Sequence, residues 1–137
     1  MDKKLRLEIV TPERIVYSDE IASLVVRTLT GEIGILFNHA PLIGTLKPWP
    51  AKLNMLDGST RYINCAGGFI EVKSNKITIL TPAAEVPEDI DYDRAMAAKE
   101  RAEKRLRLEN RQDVDVSRAE AALQRAIARL ATLKYDK

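Results

Sequence analysis

The sequence has one cysteine, Cys65, and one histidine, His39, among 137 residues. A single cysteine excludes an internal disulfide, and the pair offers no Cys and His cluster for a metal. Nucleophilic chemistry needs a base beside the nucleophile, so the scarcity of histidine also disfavours an enzyme. Aromatic residues make up 5% of the chain and the formal net charge is +2. Both values argue against binding single-stranded nucleic acid, which uses stacking rings in a basic groove. No run of about 18 apolar residues occurs, and Met1-Asp2-Lys3-Lys4 leads into alternation. Neither a membrane span nor a signal peptide is expected, which predicts a cytoplasmic-side protein. Cys65 follows Arg61-Tyr62-Ile63-Asn64 and is expected to be buried as a small apolar residue. His39, in Asn38-His39-Ala40-Pro41, is expected in a loop, its ring satisfying backbone groups.

A sharper absence divides the chain. All six glycines and all six prolines lie at or before Pro87, and Glu88 to Lys137 contains neither. Residues 1–87 therefore read as a β domain punctuated by turns, and residues 88–137 as helices rich in Ala, Leu, Glu, Lys and Arg. The second part carries 12 basic and 11 acidic residues, so it is dense in charge but nearly neutral.

In the first part Leu5, Leu7 and Ile9 alternate with polar neighbours. Similar runs occur at Ala22 to Thr28, Leu53 to Leu56 and Ile77 to Leu80, each short enough for a strand. Thr30-Gly31-Glu32, Asp57-Gly58, Gly67-Gly68 and Ser74-Asn75 supply the turns between them. Short strands with close turns predict an antiparallel sandwich or barrel. Pro48 and Pro50 flank Trp49 and predict an edge or a loop there, since proline cannot donate to a ladder. Trp49 is then either an exposed docking residue or a partly buried one.

The second part repeats itself at an offset of 24: Ile90 matches Val114, Asp91 Asp115, Arg94 Arg118 and Ala95 Ala119. The match continues through Ala98 and Ala122, Arg101 and Arg125, Ala102 and Ala126, Arg105 and Arg129, and Leu106 and Leu130. Two helices of one design follow. Each begins with an apolar residue, an Asp and, four positions on, an Ala, the arrangement of an N-cap with a hydrophobic staple. In the second helix Ala119, Ala122, Leu123, Ala126, Ile127, Leu130 and Leu133 form the predicted buried stripe; the first offers Ala95, Ala98, Ala102 and Leu106. A hairpin joined by Asn110 to Asp115 is predicted. An alanine seam removes little apolar area, and at about 25 cal/mol per Å² it costs only a few kcal/mol to open.

Beside that seam run Arg94, Arg101 and Arg105 on the first helix and Arg118, Arg125 and Arg129 on the second. Their spacing returns to nearly one face. Two readings stay open: an anion site, since the guanidinium fork matches phosphate oxygens, and a solvated surface carrying pairs such as Lys99 with Glu103 and Glu100 with Lys104. Asp91 has a purely structural reading as a cap at a helix dipole.

The segment Gly31-Glu32-Ile33-Gly34-Ile35-Leu36-Phe37-Asn38-His39-Ala40-Pro41-Leu42 resembles the signature of the epsilon subunit of bacterial F-type ATP synthases. Phe37 departs from the proline of many relatives, and Trp49 stands where glycine is common. The order of parts is also similar, from one end of the chain to the other. The resemblance implies an α+β fold, a ten-stranded N-terminal antiparallel β-sandwich followed by a C-terminal two-helix antiparallel hairpin. It implies a non-catalytic central-stalk subunit at the membrane periphery, with the gamma subunit and the c-ring as partners. It further implies that the hairpin extends towards the alpha and beta subunits and restrains ATP hydrolysis. Ile90-Asp91-Tyr92-Asp93-Arg94-Ala95 resembles the ATP-binding motif of epsilon subunits from bacilli. On that resemblance Ile90, Asp91, Arg94 and Ala95, with Arg101, Arg125, Arg129 and Glu85, are the ATP-binding residues. ATP would be a regulatory ligand, with or without Mg²⁺, that holds the hairpin closed. A free-standing nucleotide-sensing adaptor using the same hairpin is the alternative.

Overall fold

The alternation at Leu5, Leu7 and Ile9 forms strand β1 (Leu5–Val10), whose three apolar side chains are fully buried. Seven further strands follow in a computed structural model that describes residues 3–108 and 115–136: β2 (Ile15–Ile21), β3 (Ser23–Thr28), β4 (Gly31–Ile35), β5 (Leu42–Asn54), β6 (Thr60–Lys73), β7 (Lys76–Leu80) and β8 (Ala84–Glu85). They are hydrogen-bonded in the order β2-β1-β7-β6-β5-β3-β4, with β8 on β6. The pairs are antiparallel apart from β1 with β7, which is parallel. The run expected at Leu53 to Leu56 is the end of β5; residues past Asn54 turn towards β6.

The long strands β5 and β6 give the sandwich its shape. They span 13 and 14 residues, and the described residues form eight strands where the resemblance implies ten. Within β6, Gly67 and Gly68 both have positive φ. Gly68 has φ +106°, and a Cβ there would collide with the carbonyl oxygen of Leu80; only glycine fits.

Pro48 and Pro50 correct the sequence reading: they lie inside β5, opposite Ala66 and Asn64 of β6. On the other side β3 skips from the pair Val25 and Lys52 to Thr28 and Leu46. The prolines fall within that irregularity, where no ladder hydrogen bond needs their missing N–H.

One apolar cluster fills the interior, drawing Leu5, Leu7 and Ile9 together with Leu24, Leu53, Ile63, Ile70, Val72, Ile77 and Ile79. Cys65 joins it at 2% exposure, and burial pushes its thiol up to about 12. His39 sits in the loop after β4 and donates through Nδ1 to the carbonyl of Ala40 at 2.6 Å. Nearby, Asn38 and Asn75, both at positive φ, clasp each other: Asn38 N donates to Asn75 Oδ1 at 2.7 Å and Asn75 Nδ2 to Asn38 Oδ1 at 3.2 Å.

A 3-10 turn at Pro87–Asp89 leads into α1 (Tyr92–Arg107) and, after residues 109–114, α2 (Val116–Tyr135). The expected junction and the Val114 staple lie outside the described residues. Both caps form as the repeat predicts: Asp91 Oδ1 accepts from Arg94 N at 3.1 Å, and Asp115 Oδ1 from Arg118 N at 3.0 Å. α2 packs against α1 and against β5 and β6. It therefore buries two faces rather than the single predicted stripe: Ala119 and Ala126 are buried as expected, but so are Ala128 and Thr132. Neither Lys99 with Glu103 nor Glu100 with Lys104 closes to an ion pair among the described residues. Solvated pairs gain too little to hold one geometry.

Candidate functional site

The start of α1 forms one wall of a cleft. Ile90 and Ala95, five residues apart, are both buried, at 9% and 3% exposure, as a residue before the cap and one at the fourth helical position are when they pack together. This anchors the turn and leaves Asp91 and Arg94 exposed. The 3-10 turn adds Asp89 to the same wall.

The opposite wall comes from β8 and α2. Arg129 Nε donates to Glu85 Oε1 at 2.8 Å, with the two side chains 33% and 25% exposed. Asn64 of β6, 3% exposed, donates Nδ2 to the same oxygen at 3.1 Å. Thus one carboxylate oxygen on the sheet receives a donor from each side, and Arg129 is held at the cleft.

Between these walls lies a cleft of about 340 Å³, lined by Glu85, Asp89, Asp91, Arg94, Arg101 and Arg129 with the small Ala95, Ala97 and Ala98. A second cavity, about 230 Å³, lies between the helices and shares Ala98, Arg101 and Arg129 with the first, adding Arg105 and Arg125. The alanines make room and the arginines line it. Among the described residues Arg94, Arg101, Arg105 and Arg125 have no carboxylate ion pair. Like charges gathered in this way favour an anion between them. Three carboxylates stand in the first cleft and the arginine array continues into the second. The pair suits a ligand with hydrogen-bond donors in one part and anionic oxygens in another.

Of the residues singled out in the sequence, Glu85, Asp91, Arg94, Ala95, Arg101 and Arg129 line the first cleft and Arg125 the adjoining one. Ile90 is buried rather than lining, and Arg118 lines neither. Two charged lining residues, Asp89 and Arg105, lie outside the ATP-binding set that the resemblance implies. Asp89 carried no signal beyond lying next to the motif, whereas Arg105 was visible as the repeat partner of Arg129.

The first part of the chain, residues 4–87, matches the β-sandwich domain of the ATP synthase delta/epsilon chain, and residues 88–134 match its long alpha-helix domain. The chain belongs to the ATP synthase delta/epsilon family. Relatives named ATP synthase epsilon chain include that of Brevibacillus brevis, 50% identical over 103 residues, 75% of this chain and 78% of the relative. That of Caldicellulosiruptor bescii is 47% identical over 103 residues, 75% of this chain and 74% of the relative. A chain from the Euglena gracilis mitochondrial ATP synthase, in the structure of its OSCP, F1 and c-ring, shares the fold at a TM-score of 0.84 and 23% identity, covering 97% of this chain and 83% of that one. The α+β architecture expected from the sequence, a β-sandwich and then a helical hairpin, is thus the architecture of the delta/epsilon family. Among the described residues no helix is long and apolar enough to cross a membrane.

Proposed function

We propose that this chain is a non-catalytic subunit of the central stalk of a proton-translocating F-type ATP synthase, bound through its sandwich to the gamma subunit and the c-ring. It is a peripheral component on the cytoplasmic side of the membrane, held there through the complex. Family membership supports this reading, as does the structural neighbour from an assembly of OSCP, F1 and c-ring. An exposed apolar row supports a docking role for the sandwich. Ile43, Phe69 and Leu80 are 78%, 57% and 52% exposed, and the strand registers put them on one face of β5, β6 and β7. Rows of this kind on a protein surface mark contact sites.

The hairpin binds ATP and thereby regulates ATP hydrolysis. The observation that carries this is the convergence of Glu85 from β8, Asp91, Arg94 and Arg101 from α1, and Arg125 and Arg129 from α2 on two contiguous cavities. A ligand touching three elements at once binds only when they are docked, so it shifts the population towards the docked hairpin. The arginines neutralise phosphate oxygens, and the carboxylates accept from the amine or hydroxyls of the nucleoside. ATP titrated into the full chain by calorimetry is expected to give saturable heat that Arg94→Ala abolishes. No saturable heat at millimolar ATP would overturn nucleotide binding. Unchanged hydrolysis by the assembled complex after truncation at Glu88 would overturn the regulatory role.

A further inference from the structure

The face of α2 turned to the sheet is poor in apolar bulk. Ala128 and Thr132 are fully buried, and Tyr135 continues their line at helical spacing. Small residues bring the helix close to β5 and β6 but remove little apolar area from water. The side-chain contacts beside this line and at its C-terminal end therefore add to the docking. One is Arg129 on Glu85. The other lies six residues on, roughly 9 Å along the axis at 1.5 Å per residue.

There Tyr135, 46% exposed, meets two rings of the sheet. Its centroid is 5.6 Å from Tyr62 of β6 in a tilted arrangement and 6.3 Å from Trp49 of β5, edge to face at 63°. Both separations lie in the range where aromatic pairs attract beyond their buried area. Trp49 is itself held from the sheet side. The guanidinium carbon of Arg27 lies 3.7 Å from its ring centroid, and Arg27 is tied to Glu32, its cross-strand partner, at 4.0 Å. The receiving surface is thus set by β3, β4, β5 and β6.

We propose that Tyr135 is a clasp that holds the C-terminal end of α2 to the sandwich and sets how often the hairpin opens without any ligand. Two ring pairs, each contributing about two- to tenfold, make the clasp worth roughly tenfold in the docked-to-released ratio. Because α1 packs on α2, release at Tyr135 loosens the whole hairpin and the cleft with it. The clasp stands whether or not the cleft takes a nucleotide.

The test is hydrogen exchange of the full chain, read together with the emission of Trp49, the one tryptophan. Tyr135→Ala is expected to move Trp49 emission to longer wavelength and to speed exchange across α2 about tenfold, leaving β1 and β7 unchanged. Tyr135→Phe, which keeps the ring, is expected to behave as wild type, and Trp49→Leu to speed α2 exchange like Tyr135→Ala. The clasp is overturned if α2 exchange stays within about twofold of wild type in both Tyr135→Ala and Trp49→Leu. It is also overturned if α2 exchange rises only together with that of β1 and β7.

Discussion

Glu85 accepts the Nε–H of Arg129 at 2.8 Å across 44 residues of sequence, joining the last strand of the sandwich to the last helix of the hairpin. Both side chains are partly exposed, so screening keeps the pair modest, on the order of 1 kcal/mol. Its position matters more than its strength, because Arg129 lines both cavities.

Glu85→Ala is therefore expected to loosen docking rather than unfold the sandwich. Amide exchange in α2 should rise about five- to tenfold while β1 and β7 keep their protection. Equal loss of protection in sheet and helix would contradict the docking role.

The two capping aspartates separate structure from binding. Asp91→Ala and Asp115→Ala each remove one cap and are each expected to cost about 1 kcal/mol of helix stability, read as reduced helical circular dichroism and melting temperature. Only Asp91 lines the cleft, so only Asp91→Ala is expected to weaken ATP binding at least tenfold in calorimetry. Equal weakening by both would reduce Asp91 to a cap.

Gly68 and Gly58 share a positive φ but not their surroundings. Gly58→Ala has open space and is expected to cost about 1 kcal/mol in denaturant unfolding. Gly68→Ala drives a methyl into the Leu80 carbonyl and is expected to cost more than about 3 kcal/mol.

Cys65 gives a pH prediction. Its folded thiol is pushed from 9.0 up to about 12 by burial, so the unfolded chain loses this proton first. The neutral thiol's stability is fully present below pH 9.0 and is lost as pH rises towards about 12, with a slope of at most about 1.4 kcal/mol per pH unit. Tyr17, raised above 10.0 chiefly by burial, acts in the same direction. Cys65→Ala is expected to lose less stability than wild type between pH 9 and 11 in urea titrations. Thiol reagents at pH 8 should leave native Cys65 unlabelled. Parallel pH curves for the two proteins would contradict this.

Much of the site was readable because its parts are local. The cap at Asp91 and the arginine spacing depend on residues within a few turns of one helix, and the offset of 24 showed the design twice. Glu85 was named through family resemblance, since nothing in its own neighbourhood marks it as a partner of Arg129. Arg105 belongs to the arginine array that spacing offers as an anion site but not to the set the resemblance implies, because spacing along a helix does not say which arginines face a neighbour.

The sequence by itself determined the change of architecture at Pro87, the two capped helices and the alternation of β1, all set by backbone preferences and side-chain period over a few residues. The tertiary structure alone decided that Pro48 and Pro50 sit inside β5, where β3 skips past them. It also decided that α2 buries a second face, and that Tyr135 rests on Trp49 and Tyr62. These depend on which strand lies beside which and on where a helix lands, contacts between residues far apart in sequence that local preference leaves free.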